Sequence, residues 1–451
     1  MIQFRLSVLS ILLAGMLVWG GCKENTAYKD AMLDSDALAQ GNTQITGVII
    51  HDIFSPPVAS RIYAYANIAA YEVAVLADPQ YKSMMGQLNG FEKKEFDTSK
   101  ACHFPLASMT AFYEVGTSLI FSEEKMIAQQ EKMFERIKKQ GIPKKVFENS
   151  VALGKEVAAH VLAYASKDNY HQSRSFEKYT IRNDDNSWKP TPPAYMEGIE
   201  PHWNKIRPFL LDSANQFIPK APTPFDIIPE SEFYQEAYEV FKVGKELTKE
   251  QSDIAYFWDC NPYKMNVKGH VMFAEKKITP GGHWIGIASI ASKAKGLDWK
   301  AAAETHAVTA ITLFDGFISC WDEKYRSVLI RPETYINLHI DEDWLPLLQT
   351  PPFPEYTSGH SVISTAASLA LGHLLGDELH LVDSTEVAYG LPIREFDSFS
   401  QAAAEAAISR FYGGIHYIPA IDNGVDQGRM VGNHVIQNIH TRQENLAANK
   451  D

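Results

Sequence analysis

Cysteine is scarce in this sequence, which has four among its 451 residues. Three of them, Cys102, Cys260 and Cys320, lie beyond the N-terminal segment and show no paired spacing. Zinc sites and disulfide frameworks are usually recognised by such pairs. The sequence therefore indicates neither a zinc site nor a disulfide framework.

Positive charge is not in excess either. The chain has 42 lysines and arginines against 55 aspartates and glutamates, which gives a formal net charge of -13. A strongly acidic chain is repelled by polyanions. We therefore expect no nucleic-acid partner and no direct binding to anionic membrane surfaces.

Long apolar runs and β-type alternation are also missing from the body of the chain. No stretch after residue 22 approaches 18 unbroken apolar residues, and a membrane-spanning helix needs about 20, so we expect a soluble body. Apolar residues recur instead at helical spacing, as between Ile62 and Val73. The sequence predicts an all-α fold, either one helical bundle or two packed bundles.

The chain divides into three predicted parts. Residues 1–22 form a leader, residues 23–228 an N-terminal helical half, and residues 229–451 a C-terminal helical half. Within the N-terminal half, residues 167–228 are rich in aromatic residues and proline. A connection of this length inside a compact protein is usually functional or disordered, and its aromatic residues argue against disorder.

The leader has the pattern of a secretory signal. Arg5 precedes an apolar stretch of about 14 residues, which is too short to span a bilayer comfortably, and Gly20-Gly21-Cys22 follows. This ending resembles a bacterial lipoprotein cleavage site, although Trp19 replaces the usual leucine. An uncleaved N-terminal anchor is the alternative. We expect an exported lipoprotein on the periplasmic or outer-membrane side, which touches the membrane only through a lipid on Cys22.

Three short motifs in the C-terminal half carry the chemistry. They span residues 324–332, 358–360 and 409–416, and the second joins a proline-rich loop to a helix-like run of small residues. Their chemically important residues are Lys324, Arg331, Ser358, Gly359, His360, Arg410 and His416. Three cations and the unpaired N–H groups of a helix start suit a tetrahedral oxyanion. The alternative is that the arginines form surface ion pairs and the histidines lie satisfied in the core.

The order Lys-x6-Arg-Pro, Ser-Gly-His, Ser-Arg-x5-His resembles the superfamily of type 2 phosphatidic acid phosphatases and vanadium haloperoxidases. The leader and the aromatic connection point to its haloperoxidase-like bacterial lipoprotein branch. The resemblance implies an oxyanion, phosphate or vanadate, held by Lys324, Arg331, Ser358, Gly359 and Arg410. It also implies that His416 bonds to phosphorus or vanadium, and that His360 is a general acid or assists peroxide binding.

Two further acids, Asp422 and Asp259, are candidates for roles near the oxyanion. The superfamily has an aspartate four residues after its second histidine, but this chain has Ala420 there, and the nearest acid is Asp422. The group that orients His416 is therefore open, and Asp422 is the candidate. Asp259 is placed near an arginine of the site, and the alternative is that it only caps a turn.

Two aromatic residues bear on the reaction. Trp321 lies three residues before Lys324 and Phe353 lies seven before His360, as in the fungal chloroperoxidase branch that the sequence resembles. The resemblance favours a vanadium-dependent haloperoxidase-like enzyme with vanadate as cofactor and halide and peroxide as substrates. The alternatives are a phosphomonoesterase that forms a phosphohistidine and needs no cofactor, and a non-catalytic oxyanion-binding protein. The sequence leaves the oligomeric state open.

The leader yields the first testable prediction. We expect cleavage before Cys22 and acylation of its thiol, because a short apolar stretch followed by Gly-Gly-Cys resembles a lipoprotein signal. Mass spectrometry of protein extracted from membranes should show a chain that begins at a lipid-modified Cys22. Recovery of an intact Met1 or of an unmodified Cys22 would contradict it.

Overall fold

The computed structural model describes residues 26–268 and 271–443. Fourteen α-helices account for most of this part of the chain. In chain order they are α1 Asp36–His51, α2 Pro56–Ala77, α3 Phe104–Ser118, α4 Glu123–Lys139, α5 Lys144–Ala165, α6 Tyr170–Ser173, α7 Glu232–Glu246, α8 Lys249–Phe257, α9 Pro280–Ala294, α10 Trp299–Ser327, α11 Pro332–His339, α12 Gly359–Leu375, α13 Phe399–Tyr412 and α14 Ile418–Asn438. The predicted all-α class is confirmed. The leader, including Cys22, lies outside the described residues.

Two short antiparallel hairpins accompany the helices. β1 Met265–Lys268 pairs with β2 Val271–Ala274, and β3 Leu381–Asp383 pairs with β4 Arg394–Phe396. Strands of three or four residues are too short for an alternating pattern to be recognised in the sequence. Among the described residues, no helix combines the length and the apolar character needed to cross a membrane.

Polar residues fix where several helices begin. Ser55 caps α2, with Pro56 in its first turn, and Thr248 forms a capping box with Gln251 at the start of α8. Ser358 caps α12 in the same way, because its side chain accepts a hydrogen bond from the Ser361 N–H. The cap places residues 358–360 of the second motif at the positive end of a 17-residue helix.

Helix α10 is central to the packing around the site. It is buried over most of its 29 residues and packs against α2 and α12. Helices α12 and α14 approach closely, since a Cβ at Gly428 would lie 2.3 Å from the Val362 carbonyl oxygen. The same approach lets the Ser358 N–H donate to the Ala420 carbonyl. Small residues thus bring the start of α14 against the start of α12.

The aromatic connection at 167–228 lies partly inside the molecule. Trp188 and Trp203 are buried, and the Asp315 carboxylate of α10 accepts three backbone N–H groups from residues 209–211. Burial raises the pKa of Asp315 to about 6, and these hydrogen bonds oppose the rise. The main buried apolar cluster takes residues from both predicted halves, from Ala31 to Ile439.

Candidate active site

Five segments bring the three motifs together. Lys324 lies in the last turn of α10, Arg331 caps the start of α11, residues 358–360 begin α12, Arg410 lies in the last turn of α13, and His416 lies between α13 and α14. The lysine, both arginines and His416 are buried, and His360 is partly exposed to a cavity that it lines. The alternative that the two arginines form ion pairs at the surface is therefore wrong.

Lys324 is held by the loop that precedes α12. Its Nζ donates hydrogen bonds to the carbonyl oxygens of Pro354, Glu355 and Thr357 at 3.0, 3.0 and 2.6 Å. Burial, with a smaller contribution from Arg331, lowers the pKa of Lys324 to about 7. Three carbonyl acceptors match the three N–H donors of an ammonium, so they favour its charged form.

The two arginines each keep an unused donor. Arg331 donates from Nε to the Phe353 carbonyl and from NH1 to the Ile415 carbonyl, whereas its buried NH2 has no hydrogen-bond partner in the structure. Arg410 donates from NH1 to the Trp258 carbonyl, and its buried Nε has no partner either. Burial lowers the pKa of Arg331 to about 10 and also lowers the pKa of Arg410. Unused buried donors are costly unless a ligand satisfies them.

Glu355 orients His416. The His416 Nδ1 lies 2.8 Å from Oε1 of Glu355, which also accepts the Tyr417 N–H at 3.0 Å. The His416 Nε2 lies 3.1 Å from NH1 of Arg331, which can only donate. These contacts favour the tautomer with the proton on Nδ1 and a lone pair on Nε2. Burial and the nearby Arg331 and Lys324 lower the pKa of His416 well below its usual range, so the ring is neutral.

His360 has a different environment. Its Nε2 lies 3.4 Å from NH1 of Arg410. Burial, then the positive charge of Arg410, lowers the pKa of His360 well below its usual range. His360 therefore lacks an extra proton as long as no anion compensates the cations around it.

Aromatic rings line the cavity next to these groups. The ring centroids of Trp321 and Phe353 lie 5.0 Å apart, and both residues line the cavity with His360 and His416. The Trp321 Nε1 donates to the Ile199 carbonyl in the aromatic connection at 3.1 Å. The Lys324 Nζ lies 5.2 Å from the centroid of the Phe353 ring. The site thus has a charged side and an apolar side.

The two candidate acids, Asp259 and Asp422, lie in different environments. Asp259 is buried and contributes favourably to the charge of Arg410, although its direct partner is the Lys277 ammonium at 2.8 Å. Asp422 is exposed on α14 and is not brought to the site. Placing Asp422 beside His416 was wrong, because Glu355, which precedes His416 by 61 residues, already bonds its Nδ1.

The arrangement fits a bound oxyanion. Three buried cations lie near the buried side chain of Glu355, and burial raises the pKa of the Glu355 carboxyl to about 8. The Ser358 hydroxyl accepts the Ser361 N–H and keeps its own O–H to donate. Orphaned guanidinium donors, a helix start and a histidine lone pair are the groups that would hold vanadate or phosphate. Fold and site together define an oxyanion-dependent enzyme with a helical-bundle fold.

Comparison with known proteins shows which family within this class the chain resembles. The family model of the VCPO second helical-bundle domain matches residues 304–445. A solved structure described as the first bacterial vanadium-dependent iodoperoxidase is 48% identical, with a TM-score of 0.87, and the match covers 92% of this chain and 98% of that chain. A holo-type bacterial vanadium-dependent chloroperoxidase is 15% identical with a TM-score of 0.66, covering 91% and 96% of the two chains, and shows the shared fold alone. A search of curated proteins found no significant match.

The chain belongs to the vanadium-dependent haloperoxidase family. Its function is that of a vanadium haloperoxidase-like enzyme, and the phosphomonoesterase alternative is not favoured. Sequence reasoning found the family from the three motifs. It missed Glu355, although the same proline-rich loop contains this acid five residues before His360.

Glu355 yields a testable prediction. We expect Glu355→Ala to weaken vanadate binding by about 10–100-fold, the usual cost of removing the partner that orients a ligating histidine. Asp422→Ala is the matched control and should bind vanadate as the wild type does, because this acid is exposed. Calorimetric titration of both variants with orthovanadate measures the difference. Equal losses in the two variants, or a loss in Asp422→Ala alone, would contradict the assignment.

Proposed function

We propose that this protein binds vanadate among Lys324, Arg331, Ser358, Gly359 and Arg410, with Nε2 of His416 bonded to vanadium. The observation that carries the proposal is the paired contact of His416. One ring nitrogen is committed to Glu355, and the other presents a lone pair among buried cations. A metal-ligating histidine requires this tautomer.

The protein groups then have separate tasks. The three cations compensate the charge of the oxyanion in a buried site, where an unpaired ion would be prohibitively costly. A bound anion also raises the pKa of His360 toward its usual range, which lets that ring carry a proton and give it away. Bound vanadate supplies the centre at which hydrogen peroxide is activated toward a halide.

We propose iodide as the preferred halide. The bacterial relative that is 48% identical is described as an iodoperoxidase. In this chain, Trp321 and Phe353 give the cavity an apolar side next to His360. An apolar surface favours iodide, the largest and least hydrated of the common halides, because it loses little hydration on entering.

We also propose that the enzyme is exported and held at a membrane by a lipid on Cys22. This proposal rests on the sequence of the leader, which resembles a lipoprotein signal. Its partners are then small molecules, halide and peroxide, and the membrane is reached only through the lipid.

Halide assays test the reaction. We expect vanadate-loaded protein to oxidise iodide with a higher kcat/KM than bromide, because iodide loses less hydration in the apolar cavity. Arg410→Ala should lose the activity and about 2–5 kcal/mol of vanadate binding, the scale for truncating a buried charge that pairs with a ligand. Protein that oxidises no halide with vanadate, yet hydrolyses phosphomonoesters without it, would overturn the proposal in favour of the phosphatase.

The two histidines should behave differently when replaced. His416→Ala should lose the nitrogen ligand of vanadium, whereas His360→Ala should keep it and slow turnover by roughly 10²–10⁴-fold, the effect of losing a general acid. X-ray absorption at the vanadium edge reports the ligand, and iodide oxidation reports turnover. A nitrogen ligand that survives in His416→Ala and is lost in His360→Ala would show that the two roles are reversed.

A further inference from the structure

A second buried cluster lies beside the cavity and has no part in the proposed halide reaction. It consists of Cys260 after α8, His283 in α9 and Glu386 in the loop between β3 and β4, and all three are buried. The Cys260 Sγ lies 3.6 Å from Nδ1 of His283 and 3.8 Å from Oε1 of Glu386. The His283 Nδ1 lies 3.4 Å from the same Oε1.

Two of these distances, 3.6 and 3.4 Å, match those between the ligands of one tetrahedral zinc ion, and the third, 3.8 Å, is slightly longer. Zinc bonds of about 2.3 Å to sulfur and about 2.0–2.1 Å to nitrogen and oxygen, at tetrahedral angles, place the ligand atoms about 3.3–3.6 Å apart. In the metal-free protein the three groups are within hydrogen-bonding distance of one another, and a zinc ion would take the place of the shared protons. Three protein ligands leave a fourth position for water.

The other side of the imidazole is fixed as in known metal sites. The His283 Nε2 lies 2.7 Å from Oδ2 of Asp383, and both residues are completely buried. Thr385 donates its backbone N–H and its hydroxyl to the other carboxylate oxygen of Asp383. Metal-binding histidines usually donate their second ring N–H to a carboxylate that is itself hydrogen-bonded. The Trp258 ring stacks on His283 with centroids 4.4 Å apart and further limits the orientation of the imidazole.

The chemistry of the three groups also suits a metal ion. A thiol, an imidazole nitrogen and a carboxylate oxygen converge on one buried point. Each of these groups can bind a metal ion once it has released the proton that it holds in the metal-free protein. Thiolate and imidazole ligands together favour zinc over magnesium or calcium.

We propose that Cys260, His283 and Glu386 bind one zinc ion, with Asp383 orienting the imidazole. The ion joins three separate segments of the chain behind the cavity. One of them, residues 258–261, supplies the carbonyl of Trp258 that holds Arg410. Zinc thus stabilises the segment against which an oxyanion-binding arginine rests. The ligands lie 23 and 103 residues apart in the chain, which explains why the sequence shows no zinc motif.

Zinc content of purified protein tests this proposal. Bound metal is removed from the full chain with a chelator, and the protein is then dialysed against zinc chloride and desalted. Its zinc content is measured by inductively coupled plasma mass spectrometry. We expect about one tightly held zinc per chain in the wild type and in the control Cys320→Ser, which replaces another buried cysteine. Cys260→Ser and the conservative Glu386→Gln should each retain at least tenfold less zinc under the same dialysis.

A measurement on the wild type keeps the test independent of variant folding. X-ray absorption at the zinc edge should show one sulfur at about 2.3 Å, with the remaining ligands nitrogen or oxygen at about 2.0–2.1 Å. A wild type that retains no zinc, or a zinc shell without sulfur, would overturn the proposal. Equal zinc content in Cys260→Ser and Cys320→Ser, with both folded by circular dichroism, would overturn it as well.

Discussion

A single buried ammonium holds the loop on which the rest of the oxyanion site depends. The Lys324 Nζ binds three carbonyl oxygens of residues 354–357, and Arg331 binds the carbonyl of Phe353 at the start of the same loop. A proline-rich loop has few N–H groups with which to organise itself, so its carbonyls need donors from elsewhere. Two of the three site cations thus shape the loop before they meet any anion.

The loop in turn determines the chemistry of His416. Its Glu355 side chain accepts the Nδ1–H of His416, and its last residue, Ser358, caps α12. The lone pair on Nε2 and the helix N-terminus are therefore consequences of one loop conformation. A change at Lys324 would act on both, and its effect on anion binding would exceed the loss of one positive charge.

Much of this site could be predicted from the sequence, because the motifs are local. The spacing within 324–332, 358–360 and 409–416 indicates the family and the start of α12, and the structure brings the motif residues together. The capping box at Thr248 can also be predicted from the sequence, because it involves two residues that are three positions apart. The two hairpins were missed because strands of three or four residues leave no periodic signal.

Contacts between residues that come together only in the folded chain could not be predicted from local motifs. Sequence proximity to His416 favoured Asp422, but the helix that begins at Ile418 turns this residue to the surface, while Glu355 approaches from another segment. The grouping of Cys260 with His283 and Glu386 is hidden for the same reason, because the three residues come from three elements. Tertiary packing decides such contacts, and the chain gives no local pattern for them.

The two histidines of the site differ because their neighbours differ. His416 faces Glu355 on one nitrogen and an arginine on the other, and this arrangement favours the proton on Nδ1. The His360 Nε2 faces the guanidinium of Arg410, and this positive charge opposes protonation of the ring. A dianion among the cations stabilises a proton on His360 and leaves the tautomer of His416 unchanged. A proton on His360 is therefore favourable only when an anion lies among the cations, because a buried imidazolium would otherwise add to their positive charge.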